Sequence, residues 1–118
     1  MTGYAFTNLL LNVSADETLS QWVDVRGRTA LTFYLTSVGT TSGGVVSLEE
    51  QMPVGTDTVP GQPYSGTNIS ITTVNASTFT GGAQVVSRAT IGAYGFVRAR
   101  ISTAISGGGT VSVSLLAV

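Results

Sequence analysis

Histidine, cysteine and lysine are absent from the 118 residues of this chain, and only eleven charged side chains remain, five Arg against six Asp and Glu. The missing types are the usual general bases, nucleophiles, soft metal ligands and Schiff-base formers. Zero cysteine also removes disulfides and thiol redox chemistry. Charged residues make up 9% of the chain, against about 25% in an average globular protein. The net charge of −1 leaves no basic footprint for nucleic acid. In the N-terminal stretch the longest apolar run is Leu9 to Leu11, with no positive segment before it, which argues against a signal peptide and a membrane span. No cofactor or metal is expected. Synthesis in the cytoplasm follows as the expectation.

What is present is mostly Thr, Ser, Gly and Val, eighteen, thirteen, fifteen and fifteen residues. This composition builds strands and turns. Alternation of apolar and polar residues recurs along the chain and no segment holds a helical period. Leu31, Phe33 and Leu35 share one face, as do Val46, Leu48 and Met52, then Val97, Ala99, Ile101 and Ile105, and finally Val111, Val113, Leu115 and Ala117. Runs between turn signals fall at 5–13, 19–26, 28–37, 44–52, 67–75, 83–91, 94–105 and 109–117. The fold class is therefore all-β, a single antiparallel β-sandwich of about eight strands spanning 1–118. Jelly-roll and immunoglobulin-like orders fit this spacing equally. The glycines at 107, 108 and 109 predict a tight reversal closing a hairpin between the last two strands. A short helical turn at Ser14 to Leu19 is the one helix the sequence suggests, with Ser14 as cap and Glu17 three residues on.

The carboxylates are Asp16, Glu17, Asp24, Glu49, Glu50 and Asp57. Neighbours on a strand point to opposite faces, so Glu49 and Glu50 are not placed as a catalytic dyad. No EF-hand spacing of oxygen ligands and no glycine-rich phosphate loop is present, and no enzyme is expected. Glu50 falls on the inward face with Val46 and Leu48, where an unpaired carboxylate is costly. A bulge re-aiming it, a subunit contact or an Arg partner each resolves that cost. Arg98 and Arg100 lie two apart on one strand face beside Phe96. Such a pair grips an anion, or bridges across strands to acids such as Asp24 or Glu49. Trp22 shares a polar face with Asp24 and is a candidate interface anchor. With Tyr34, Tyr64 and Tyr94 it also offers a platform for stacking sugars. The stretch Pro53 to Gly66 holds every proline, Pro53, Pro60 and Pro63, together with Tyr64. It reads as a long loop of the kind that engages a partner. The three Asn-X-Ser triplets, at Asn12, Asn68 and Asn75, are what chance produces in so Ser-rich a chain.

Two segments carry a resemblance: QWVDVRGRTALTFYLTS at 21–37 and GAYGFVRARISTAISGGGTVSVSLLAV at 92–118, together 44 residues. The aromatic-Val-Arg-Ala-Arg-Ile strand, the glycine turn and the Thr-Val-Ser-Val-Ser strand resemble the ends of small β-sandwich structural proteins of tailed bacteriophages, of the capsid decoration (cement) type. The resemblance implies a virion protein on the outer head surface. Such a protein is often a homotrimer that binds the major capsid protein or another virion protein and clamps neighbouring capsomers, with neither nucleic acid nor membrane as partner. No site residue carries over, because the resemblance rests on no binding motif. A tail, baseplate or neck component, or a glycan- or receptor-binding module, is the alternative.

Overall fold

The computed structural model describes residues 5–28, 30–51, 68–82, 85–89 and 95–118. Eight strands are named: β1 (Ala5–Val13), β2 (Val23–Asp24), β3 (Leu31–Val38), β4 (Gly43–Gln51), β5 (Asn68–Asn75), β6 (Val85–Ala89), β7 (Phe96–Ser106) and β8 (Thr110–Ala117). They form two four-stranded antiparallel sheets, ordered β1-β8-β3-β6 and β2-β7-β4-β5. The period-two pattern puts Phe33, Leu35, Val111, Val113 and Leu115 of the first sheet against Val46, Leu48, Val97, Ala99 and Ile101 of the second. None of these side chains is more than 1% exposed. The apolar faces read from the sequence are buried here, apart from Met52, which lies outside the described residues.

Every link between consecutive described strands crosses from one sheet to the other, except β4 to β5. Eight strands in this order make a jelly roll of two Greek keys. An immunoglobulin-like order keeps its first two strands together in one sheet. The crossing corrects one expectation: the glycine turn at 107–109 does not close a hairpin. It carries the chain from β7 in one sheet to β8 in the other, beside the β3–β4 crossing. The two turns bind each other, Gly109 N–H donating to Thr40 O at 2.7 Å and Ser42 N–H to Ser106 O at 2.9 Å. Gly107 has a φ of +101°, and a Cβ there would lie 2.9 Å from both Ser42 N and Thr40 O. Its conformational freedom serves this stacking of corners.

The segment from Ser14 to Leu19 is a turn and not a helix. Glu17 sits at a φ of +58° and its N–H donates to Ile101 O, while Ile101 N–H donates to Thr18 O and Ser20 N–H to Ala99 O. Backbone pairing to β7 prevails over so short a helix, whose nucleation is unfavourable. An unforeseen element is a 3-10 helix (Ala76–Gly82). It packs between the sheets near the β3–β4 crossing, burying Ala76 and Phe79 completely. Ser37 Oγ donates to Phe79 O at 2.8 Å and Thr41 Oγ1 to Ala76 O at 2.9 Å, satisfying two carbonyls inside the core.

Candidate functional site

The chemistry-bearing side chains gather on the outer face of the β2-β7-β4-β5 sheet. Antiparallel register sets Glu49 opposite Arg98, Ser47 opposite Arg100 and Gln51 opposite Phe96. Glu49 is only 6% exposed. Its Oε1 accepts from Arg98 Nε at 3.0 Å, and its Oε2 lies 3.2 Å from Arg100 Nε in an ion pair without a hydrogen bond. Arg100 also reaches outward, its Nη1 donating to both oxygens of Glu17 at 3.1 and 3.2 Å. The turn at 14–22 that replaces the expected helix brings Glu17 to this place. Arg98 is roofed by Trp22, with its guanidinium 4.4 Å from the ring centroid.

A second cluster lies one strand over. Asp24 receives Arg26 through a forked contact, Nε at 2.9 Å and Nη2 at 2.7 Å, and the same guanidinium lies 4.9 Å from the Phe96 ring. These hydrogen bonds hold the Asp24 carboxyl below its usual range. Asp24 therefore serves Arg26 and not the Arg98–Arg100 pair, a correction to one of the two acids proposed from sequence. Glu49, the other acid proposed, is the partner, set opposite Arg98 by the β4–β7 register. Phe96, read as outward, does face that way but is 4% exposed beneath Arg26.

Glu50 lies half-buried between Val97 and Ile69 in the register, on the core side with Leu48. Burial pushes its carboxyl above the usual range. A bulge is present next to it, but the extra residue is Ile71 on β5. The β4–β7 register runs unbroken from Val46 to Gln51, so Glu50 is not re-aimed. No ion pair joins it to another described residue. Pro53, Pro60, Pro63 and Tyr64 lie outside the described residues, as do Tyr94 and Asp57. The segment holding the prolines, Asp57 and Tyr64 leaves from Gln51 and returns at Asn68, which pair with each other across β4 and β5. Tyr34 is on the opposite sheet, 6.5 Å from the Phe6 ring, so it forms no platform with Trp22.

Chemically the arginines are committed. Arg98 is shared between Glu49 and Trp22, Arg100 between Glu49 and Glu17, and an incoming anion would have to displace a carboxylate already in place. The cluster ties β7, β4 and the 14–22 turn together. A separate small cleft of about 120 Å³ opens where β1 meets the 21–23 segment, lined by Thr7, Asn8, Leu9, Gln21 and Val23. Among the described residues no group of three His, Cys, Asp or Glu is placed to hold a metal ion, and no helix is long and apolar enough to cross a membrane. No protein-family model matches the chain, and no curated protein matches it in sequence.

Proposed function

We propose that the chain is a non-enzymatic structural protein of a tailed-phage virion, of the capsid decoration type, which self-associates and binds the outer surface of the head. The observation that carries this reading is the segregation of charge. The described ion pairs all lie on one sheet and its flanking turns, where they neutralise one another, whereas on the other sheet β1, β8 and β3 contain no charged residue and β6 holds a single one, Arg88. Such a surface suits a piece covered by neighbours in an assembly. The jelly-roll order adds support, since viral capsid domains use it often, as do lectins. Shell contact is assigned to the 53–66 connection and the N-terminal residues up to Phe6, each contact weak and the whole made strong by repetition over the lattice.

A glycan-binding role is the second reading, favoured by the cleft at Thr7, Asn8 and Gln21, whose polar side chains suit a hydroxyl-rich ligand. Against it stands Trp22, with one ring face already occupied by Arg98. Co-sedimentation of the purified chain with undecorated phage heads tests the first reading. Binding that saturates with the lattice, and is lost on deletion of residues 55–62, is the expected result. Absence of binding, together with quenching of Trp22 fluorescence by a glycan, would transfer the assignment to the second reading.

A further inference from the structure

Two neutral features meet at the β1 flank of the sandwich. The first is the cleft of about 120 Å³ between Thr7, Asn8 and Leu9 of β1 and Gln21 and Val23 of the facing segment. A bulge lies at this place: Asn8 pairs with Ser114 and Leu10 with Val113, which leaves Leu9 as the extra residue. Bulges recur beside binding and active sites, where they re-aim a side chain. The second feature is on the outer face of the same sheet. There Phe6 and Tyr34 lean toward each other across β8, their rings 6.5 Å apart and tilted by 43°. Phe6 is 57% exposed and Tyr34 is half-buried. Asn8 joins the two features, since it lines the cleft and lies two residues from Phe6 on one strand face. Ser114 Oγ donates to Asn8 Oδ1 at 2.9 Å, so the amide oxygen is engaged and the amide N–H groups are left to a ligand. Thr7 and Gln21 make no side-chain hydrogen bond among the described residues.

We propose that these features form one binding site for a neutral glycan, which lies on the aromatic pair and runs over β1 into the cleft. Charge selects a neutral ligand. None of the five residues lining the cleft is charged, nor is any residue of β1, β8 or β3. The first charge across the sheet is Arg88 of β6, in register with Thr32 on the far side of the pair. A charged ligand would lose water here and gain no counter-charge. Size selects a small or linear ligand. Three strands about 4.8 Å apart and about 27 Å long give a neutral face of about 400 Å², so a protein pressed on it would remove roughly 800 Å² in all, short of a specific interface. The cleft is below the ~300 Å³ of a pocket that encloses a drug-sized molecule, so it takes one unit of a ligand whose remainder follows the face. Chemistry selects a sugar over an apolar chain, which would cover Thr7, Asn8 and Gln21 without giving them partners. A sugar offers C–H faces to Phe6, Tyr34 and Leu9, and hydroxyls that donate and accept to the amides and the threonine. The site rests on the glycan-binding reading and takes its aromatic contact from Phe6 and Tyr34 in place of Trp22. It shares only Phe6 with the shell contacts assigned above.

Calorimetric titration of the full chain with maltopentaose, cellopentaose and mannopentaose, and with the anionic trigalacturonate, tests it. At least one neutral chain is expected to bind, and trigalacturonate is not. Phe6→Ala and, separately, Gln21→Ala weaken that binding about tenfold, the loss of one apolar contact or one hydrogen bond. Both residues are exposed, so both variants keep the parent's circular dichroism and melting midpoint. Thr73→Ala, an exposed position on β5 of the other sheet, leaves binding unchanged. No neutral chain bound at millimolar concentration, or tighter binding of trigalacturonate, would overturn the proposal. Binding weakened by Gln21→Ala but indifferent to Phe6→Ala would also overturn it, leaving a glycan in the cleft alone. A doubling of the 12.1 kDa chain mass that Phe6→Ala abolishes, with no sugar bound, would give the face to a second copy instead. Head binding is a separate readout: heads bound without sugar overturn this site and leave the decoration role, whereas sugar bound without heads supports the site and counts against that role alone.

Discussion

Glu49 sits between two arginines of the neighbouring strand with 6% of its surface accessible, so its charge has almost no water to fall back on. Removing one member of so enclosed a cluster leaves the others uncompensated. Glu49→Ala is expected to lower stability by about 3 kcal/mol in urea titrations. Arg26→Ala, which breaks a pair whose side chains are 35% and 45% exposed, is expected to cost less than about 1 kcal/mol. Glu50 offers a pH test. A carboxyl with a raised folded pKa binds its proton more tightly folded than unfolded, so stability falls as pH rises from the ordinary carboxylate range through the raised value. Glu50→Gln removes that loss, making the variant more stable than the parent at neutral pH and equal to it in acid. Asp24 acts oppositely: its lowered pKa adds stability above the ordinary value, which disappears as pH falls through the lowered one. Urea midpoints followed across pH for parent and variant separate the two. At this scale the sequence was a good guide wherever strand alternation applied. Arg98 and Arg100 on one face needed only period two, whereas the choice of Glu49 over Asp24 as their partner needed the β4–β7 register. The stacking of Arg98 on Trp22 was not legible, because the 14–22 segment that places the ring has no repeating geometry.

Most strand elements were legible in existence and approximate bounds, since β3, β4, β7 and β8 each carry an apolar face; the run at 19–26 instead forms only the two-residue β2, Val23–Asp24. Their connections were not. A glycine-rich turn between two alternating segments reads the same whether the second strand returns beside the first or crosses to another sheet, and only tertiary pairing decides between these. At Gly44 the decision leaves a mark: φ is +113° and an added Cβ would stand 2.7 Å from Ala104 O. Gly44→Ala is expected to lose about 2 kcal/mol, measured by thermal or chemical denaturation. The 3-10 helix was invisible because Ala76 to Gly82 has no period, only one large apolar residue. That residue, Phe79, is fully buried. Phe79→Ala is expected to cost about 3–5 kcal/mol, a penalty out of proportion to a short connecting segment, read from the shift in denaturation midpoint.

For the whole molecule, the order of strands sets the kinetics. Among the described strands only one consecutive pair, β4 and β5, is hydrogen-bonded, and residues 52–67 separate even these. Each other pairing closes a long stretch of chain before it yields contacts, the condition under which folding runs in milliseconds to seconds. Stopped-flow refolding followed by the single Trp22, which docks on Arg98 only when the turn and β7 have come together, is expected to fall in that range. A microsecond phase carrying the full amplitude would contradict the topology. The sandwich class followed from eight regularly spaced strands, whereas the choice of jelly roll needed the pairings themselves, because spacing along a chain carries no information about which sheet receives a strand.

The pairing of β1 with β8 has a mechanical consequence. Ala5 lies opposite Ala117, and the two strands run antiparallel from that point toward Val13 and Val111. A tension applied at these two residues meets the ladder at its open end, loading one hydrogen bond after another instead of all at once. The strands would peel like a zip, at low force, while a load pressed onto the broad surface of the sheets would be spread over the whole core. This architecture resists compression from its faces far better than traction from its ends.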